Sequence, residues 1–314
     1  MIVSPLSSPR NNFSDFSILP YFNRSAVIVY LKTIDSQLAR RASSFVVIIR
    51  SKYFPTSERF NFLKLRPILI LRKVCRNACY LIIFATMKIH SIKSIIFDLD
   101  GTLVDTAADI LAAVNSTMEI YGLKPITYEQ CLRYLGDGVE DLVRRAVENS
   151  ISEPIDPNYL AEIVAQYKDF YSSHLTDRSR LFPGVRETLA ELQDYTLVVV
   201  SNKSHDFCVQ ILRQLDIEKY FQLIIGGDLL PSRKPDPGQL LYVMQKFNLT
   251  AAQILIVGDS ENDILAAHSI GAPVVVVKYG YRDIEILQEY HPDYMIDNFS
   301  DLLKILKQEI QTFK

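Results

Sequence analysis

Asp98 and Asp100 stand two residues apart in I-I-F-D-L-D-G-T-L. At a strand end residues i and i+2 share a face, so both carboxylates start on the same side, and Gly101 lets the chain turn away tightly. Two carboxylates about 4 Å apart repel by about 4 kcal/mol at an effective dielectric near 20, which a divalent cation or a shared proton must offset. A second acidic pair, Asp259 and Asp263, follows the apolar run 254–257, with Asp263 one turn into a helix suggested by residues 262–270. Such donors suit a hard cation: magnesium takes one or two carboxylates plus phosphate oxygen, and Asp98, Asp259 and the Asp100 backbone carbonyl would suffice. Ser201 ends another apolar run in front of a helix starting near Ser204, where a hydroxyl and nearby N–H groups can hold an anion. Lys234, between Arg233 and Pro235 in R-K-P-D-P, offers a phosphate a point charge from a stretch unsuited to helix. Taken singly, each has a plainer role: aspartates that form turns or cap helices, a serine cap, a solvated lysine. Those roles do not explain why nucleophile and acid, hydroxyl, lysine and metal carboxylates follow one another at successive strand ends.

The elements that must position them read as α/β. Five short, β-branched apolar runs, 95–97, 197–200, 223–225, 254–257 and 274–277, alternate with amphipathic stretches, the signature of a parallel sheet flanked by helices. Four of the five are followed at once by polar or glycine residues, and in an open α/β sheet the carboxyl ends of the strands line the ligand crevice. About a hundred residues separate the first two runs, far more than a crossover needs, and they read as helices only. Ile110, Val114 and Met118 form one stripe that stops at Gly122; Val139, Leu142, Val143 and Ala146 form another. Asp156 before Pro157 starts a third, through Leu160, Ile163, Val164 and Tyr167. Pro183-Gly184 marks the return to the core. The expected architecture is a Rossmann-like parallel-sheet core, residues 87–105 and 182–314, with an inserted helical cap, residues 106–181.

The charge divides the same way. Residues 1–86 hold 13 Lys and Arg against 3 Asp and Glu, a balance of +10, whereas the other 21 basic and 33 acidic residues leave 87–314 at −12. The first 86 residues show no motif and no sustained helical or strand period, so they read as an extension outside the functional fold. Met87, a few residues before the first strand of the core, is the expected true start; an Arg/Ser-rich transit peptide and a basic nucleic-acid-contacting arm are the other readings. The apolar stretch 67–86 is broken by Arg72, Lys73 and Arg76, so no transmembrane helix is expected. Cys75, Cys79, Cys131 and Cys208 are too few and scattered for a disulfide framework or a zinc site; reduced thiols and a cytoplasmic location fit.

D-L-D-G-T-L-V-D-T at 98–106, S-N-K at 201–203, R-K-P-D-P at 233–237 and G-D-S-E-N-D at 258–263 resemble the four motifs of the haloacid-dehalogenase-like hydrolase superfamily, over about residues 91–299. Among its branches the chain looks most like the bacterial phosphoglycolate phosphatases, through L-F-P-G-V at 181–185, I-G-G-D at 225–228 and Y-G-Y at 279–281. The resemblance implies hydrolysis of a small phosphorylated metabolite, 2-phosphoglycolate to glycolate and phosphate, through a phosphorylated Asp98. It makes Asp100 the general acid and base, and gives the phosphoryl oxygens to Ser201, Asn202 and Lys234. It gives Mg2+ to Asp98, the Asp100 carbonyl and Asp259, with Asp263 orienting the metal shell. The inserted helices resemble a mobile cap that closes over the substrate. For the substrate carboxylate, Gly138 with its backbone N–H, Arg145 and Lys203 are the candidates. A phosphosugar mutase, pyrophosphatase or nucleotide phosphatase would use the same core. A dehalogenase has no use for Asp100, and a phosphonate hydrolase would need Lys124 or Lys168 as a Schiff base. A non-catalytic binding protein would have no need of the intact acidic set.

Overall fold

The computed structural model describes residues 28–31, 45–50, 70–75, 78–85 and 92–311, in two compact units, Met1–Met87 and Lys88–Lys314. In the first unit β1 (Ile28–Leu31), β2 (Phe45–Arg50), β3 (Ile70–Cys75) and β4 (Ala78–Ala85) form an antiparallel sheet in the order β1-β2-β4-β3. This corrects the reading that the span lacks strand character: short apolar runs pair across strands without needing a long period of their own. The apolar stretch 67–86 supplies the β3–β4 hairpin, and among the described residues no helix is long and apolar enough to cross a membrane. The expectations for the rest of residues 1–86, and for Met87, lie outside the described residues.

The second unit is built on six parallel strands in the order β12-β11-β10-β5-β8-β9. They are β5 (Ser94–Phe97), β8 (Thr196–Val200), β9 (Leu223–Ile225), β10 (Ile254–Gly258), β11 (Val274–Val277) and β12 (Tyr294–Ile296). The first five are the predicted runs. The sixth, three residues long, was missed because Y-M-I carries too little pattern to stand out. Both faces of the sheet are covered, as continuous Val/Ile runs require. Ile95, Phe97, Val199 and Val257 point into one core, shared with α5 (Val185–Glu191), α6 (His205–Gln214) and α10 (Asp301–Gln311). Ile96, Val198, Val200 and Ile256 point into the other, under α7 (Gly238–Phe247) and α8 (Glu261–Ile270). The short helix α9 (Ile284–Glu289) follows β11. Strand order runs outward in opposite senses from β5 and β10, so the crevice lies between these two strands.

Between β5 and β8 stand α1 (Ala107–Ile120), α2 (Tyr128–Tyr134), α3 (Val139–Glu148) and α4 (Pro157–Ser172). Of the predicted stripes, Ile110, Val114 and Met118, Leu142, Val143 and Ala146, and Ile163, Val164 and Tyr167 are buried, while Val139 and Leu160 are half-buried. Asp156 caps α4 by accepting from the Asn158 and Tyr159 N–H groups. The chain leaves and rejoins the core through a two-residue antiparallel ladder of β6 (Val104–Asp105) with β7 (Arg180–Leu181). Asp109, buried in the first turn of α1, braces this neck by accepting from the Arg178 and Ser179 N–H groups and the Ser179 hydroxyl.

Candidate active site

Asp98 follows β5, Ser201 follows β8 and Asp259 follows β10, so three strand ends deliver them to one crevice. Asp98, Asp259 and Asp263 bring carboxylate oxygens within 4.8 Å of one another. Gly101, at φ +81°, lets the turn after Asp100 pass close by: a Cβ there would stand 2.2 Å from Asp259 Oδ2. Asp263 is at once a helix cap and a site residue. Its Oδ2 accepts from the Ser260 hydroxyl and N–H in a capping box, while its Oδ1 accepts from Lys234 Nζ at 2.6 Å. The Lys234 ammonium also lies 3.0 Å from Asp98 Oδ1, at ion-pair distance but without hydrogen-bond alignment. The plain role of a solvated lysine is ruled out, since the Lys234 side chain is 4% exposed.

Three clustered carboxylates, Asp259 and Asp263 buried and Asp98 nearly so, leave an excess of negative charge against one ammonium, and the carboxyls register it. Burial, partly opposed by Lys234 and reinforced by Asp263 and Asp100, pushes Asp98 up to about 6. Burial, then the charges of Asp98 and Asp263, push Asp259 up to about 8. Burial opposes the Lys234 ammonium, but Asp263 and Asp98 outweigh it and hold its pKa above the ordinary lysine value. An all-oxygen donor set with surplus negative charge, including the buried Asp98 Oδ1 that has no hydrogen-bond partner among the described residues, fits a hard divalent cation. Asp263, with both oxygens engaged by Lys234 and Ser260, fits a supporting role better than that of a direct ligand.

Asp100 has different neighbours. The Thr106 hydroxyl donates to its Oδ1 at 2.5 Å, and Lys203 Nζ lies 3.1 and 3.2 Å from its two oxygens. Lys203, read from sequence as a candidate for substrate, is therefore first of all the partner of the acid. Burial works against its ammonium, but the Asp100 charge prevails and raises its pKa. Because the Thr106 hydroxyl is committed to Asp100, this N-cap residue makes no side-chain cap to α1. The Tyr281 hydroxyl replaces it, accepting from the Thr106 and Ala107 N–H groups at 2.7 and 3.1 Å and donating to Asp105 Oδ1. The Tyr281 N–H also donates to Asp259 Oδ2 at 2.8 Å. Sequence reasoning did not assign Thr106 or Tyr281 a role, although both lie inside motifs it had singled out.

The loop between α2 and α3 closes over the strand ends and is stitched to the core. The Asn202 side-chain amide donates to the Gly136 and Lys234 carbonyls, each at 2.8 Å, and Asn262 donates to the Gly136 carbonyl and Asp137. Asn202 thus ties the loop between α2 and α3 to the loop that carries Lys234 through its side-chain N–H groups. Arg282 donates to the Leu132 and Leu135 carbonyls at 2.9 and 2.5 Å and to Glu261 at 2.9 Å; no sequence signal pointed to it. Gly138, at φ +94°, lines a cavity of about 60 Å³ together with Asp98, Asp100 and Lys203. Arg145 does not line it. It pairs with Asp137 at 2.6 Å in a neighbouring outer groove, because α3 turns its apolar face inward and leaves Arg145 on the flank. Lys124 and Lys168 do not line the cavity either. Cys131 and Cys208 are buried free thiols, and burial pushes Cys131 up to about 12.

A family model described as haloacid dehalogenase-like hydrolase matches residues 95–277. The phosphoglycolate phosphatase of Vibrio parahaemolyticus is 38% identical over 221 residues, 69% of this chain and 97% of that protein. That of Pseudomonas fluorescens is 39% identical over 216 residues, 67% of this chain and 78% of that protein. Among solved structures, a predicted phosphoglycolate phosphatase from Haemophilus somnus superposes with a TM-score of 0.66 at 37% identity, covering 68% of this chain and 98% of that one.

Proposed function

Because the chain belongs to the haloacid dehalogenase-like hydrolase family, we propose that it hydrolyses a small phosphate monoester, 2-phosphoglycolate, through a phosphorylated Asp98. The observation that carries this reading is the division of the site into two charge environments. Asp98 sits among Asp259, Asp263 and Lys234, where a phosphoryl group and a cation can be held, while Asp100 sits apart with Lys203 and Thr106.

In the first half-reaction an Asp98 carboxylate oxygen attacks phosphorus as the ester P–O bond breaks, and protonated Asp100 gives its proton to the departing alkoxide. In the second, Asp100 takes a proton from water as the water oxygen attacks phosphorus, and the bond to Asp98 breaks to release phosphate. Lys234 and Ser201 would hold the non-bridging oxygens. Asp98, the Asp100 carbonyl and Asp259 would hold magnesium, whose charge would offset that of the carboxylates and the phosphoryl oxygens. Residues 106–181 act as the cap, and the stitched loop 135–138 excludes water from the reacting atoms.

The identity to phosphoglycolate phosphatases supports 2-phosphoglycolate among phosphate esters. A phosphonate hydrolase is disfavoured because neither cap lysine lines the cavity. Phosphate release from a panel of small cellular phosphate esters, with magnesium and with chelator, tests the reading. The expected result is magnesium-dependent turnover with 2-phosphoglycolate at the top of the kcat/KM ranking. Equal activity in chelator, or a sugar or nucleotide phosphate ranking far above it, would overturn it.

A further inference from the structure

One wall of the cavity belongs to neither the phosphoryl grip nor the acid. Tyr171, near the end of α4, is 1% exposed and lines the cavity, and its hydroxyl has no hydrogen-bond partner among the described residues. Its ring is held without help from that hydroxyl. Tyr167 stacks on it at 5.5 Å between centroids, Phe207 meets it edge-on at 5.3 Å, and the Lys203 ammonium lies 4.8 Å from its centre. Buried hydroxyls are almost always bonded, because an unmade bond leaves the desolvation of the group uncompensated. A phenylalanine would pack equally well, so the fold itself gives no reason for a tyrosine here. Burial, and next the charge of Asp100, hold the hydroxyl well above the ordinary tyrosine pKa, so it stays a donor at any working pH.

The neighbouring charge supplies the rest of an anion site. An ammonium has three N–H donors, and the contacts of Lys203 with Asp100 leave it a donor to spare. Lys203 therefore sits beside Asp100 with the Tyr171 ring next to it, which on the mechanism above is the alcohol side of the scissile bond. The phosphoryl side is served by Lys234 and Ser201.

We propose that Tyr171 is a specificity-determining residue: its hydroxyl donates a hydrogen bond to the carboxylate of a small phosphorylated 2-hydroxy acid, with Lys203 supplying the counter-charge. This assignment rests on the substrate reading above and replaces Arg145 as the cap's contribution to carboxylate recognition.

The test is Tyr171→Phe in the full chain, read by thermal midpoint and by kcat/KM on two esters. One is 2-phosphoglycolate; the other is ethyl phosphate, which carries a methyl group where the first has its carboxylate. The expected result is an unchanged or raised midpoint together with a fall of about 10–100-fold in the ratio of kcat/KM for 2-phosphoglycolate over ethyl phosphate, the loss of one charge-assisted hydrogen bond. A retained ratio, or equal losses on both esters, would overturn the assignment while leaving the substrate reading intact. A wild-type protein that does not prefer 2-phosphoglycolate to ethyl phosphate would sink the substrate reading, and the role of Tyr171 with it.

Discussion

Replacing Lys234 by methionine removes the one ammonium that separates the carboxylates of the site while keeping the volume of the side chain. Lys234 lies 3.0 Å from Asp98 and 2.6 Å from Asp263, and the Lys234 and Asp263 side chains are 4% and 1% exposed. Its loss leaves three clustered carboxylates with no cation among them. Breaking a buried pair by deleting one partner costs about 3–5 kcal/mol, because the remaining charge is left uncompensated. For a unit of this size each kcal/mol moves the melting midpoint by about 2–4 °C, so Lys234→Met in chelator should melt roughly 6–20 °C below wild type. Magnesium supplies two positive charges to the same cluster, so a saturating concentration should recover much of that loss. Turnover should not recover, since the phosphoryl oxygens lose a fixed charge; removing one such stabilising group costs about 10²–10³-fold in kcat. Lys278→Met, which breaks the exposed pair with Asp297, is the control and should move the midpoint very little. Thermal scans with and without magnesium, with phosphate release, decide the matter. A Lys234→Met midpoint within about 2 °C of wild type in chelator would refute the electrostatic account.

Asp98→Asn should leave a folded protein with no measurable turnover, checked by circular dichroism and phosphate release, because an amide is not a competent nucleophile. Asp98 and Asp259 are raised from 3.8 to about 6 and about 8, so their ionisation opposes folding: cation-free stability should fall as pH rises from 5 to 8. Magnesium needs the ionised carboxylates, so it should raise the melting midpoint more at pH 8 than at pH 5; a larger shift at pH 5 would contradict the assigned ligands. Arg282→Gln, which unties α2 from the core, should raise KM about 10-fold, whereas Arg145→Gln should change kcat/KM by less than about twofold. Steady-state kinetics on both variants check this. A protein beginning at Met87 should melt and turn over like the full chain, because β5 to α10 and every site residue lie beyond it; loss of activity on truncation would show otherwise.

Much of this protein is local in origin and legible in its sequence. Four of the six core strands, β5, β8, β10 and β11, announce themselves as Val/Ile-rich runs because they are buried on both faces, β9 as a short Leu-Ile-Ile run at the sheet edge, and α1, α3 and α4 through stripes at helical spacing. Asp98, Asp100, Ser201, Lys234 and Asp259 are legible because strand ends and turns set their positions within a few residues. β12 was not legible, because Y-M-I carries no β-branched run, nor was the pairing of β1 with β2 and of β2 with β4, whose partners are separated by intervening chain. Partner choice across the fold was equally hidden. Only the tertiary structure gives Lys203 to Asp100, Arg145 to Asp137, the Tyr281 hydroxyl to the start of α1, and Arg282 to the carbonyls of α2. A long side chain's sequence neighbours limit its reach but not its direction, and which opposite charge or free carbonyl it meets depends on how the helices pack against the sheet and one another. That arrangement is set by apolar packing, which leaves the same pattern in the sequence whichever polar groups it brings together.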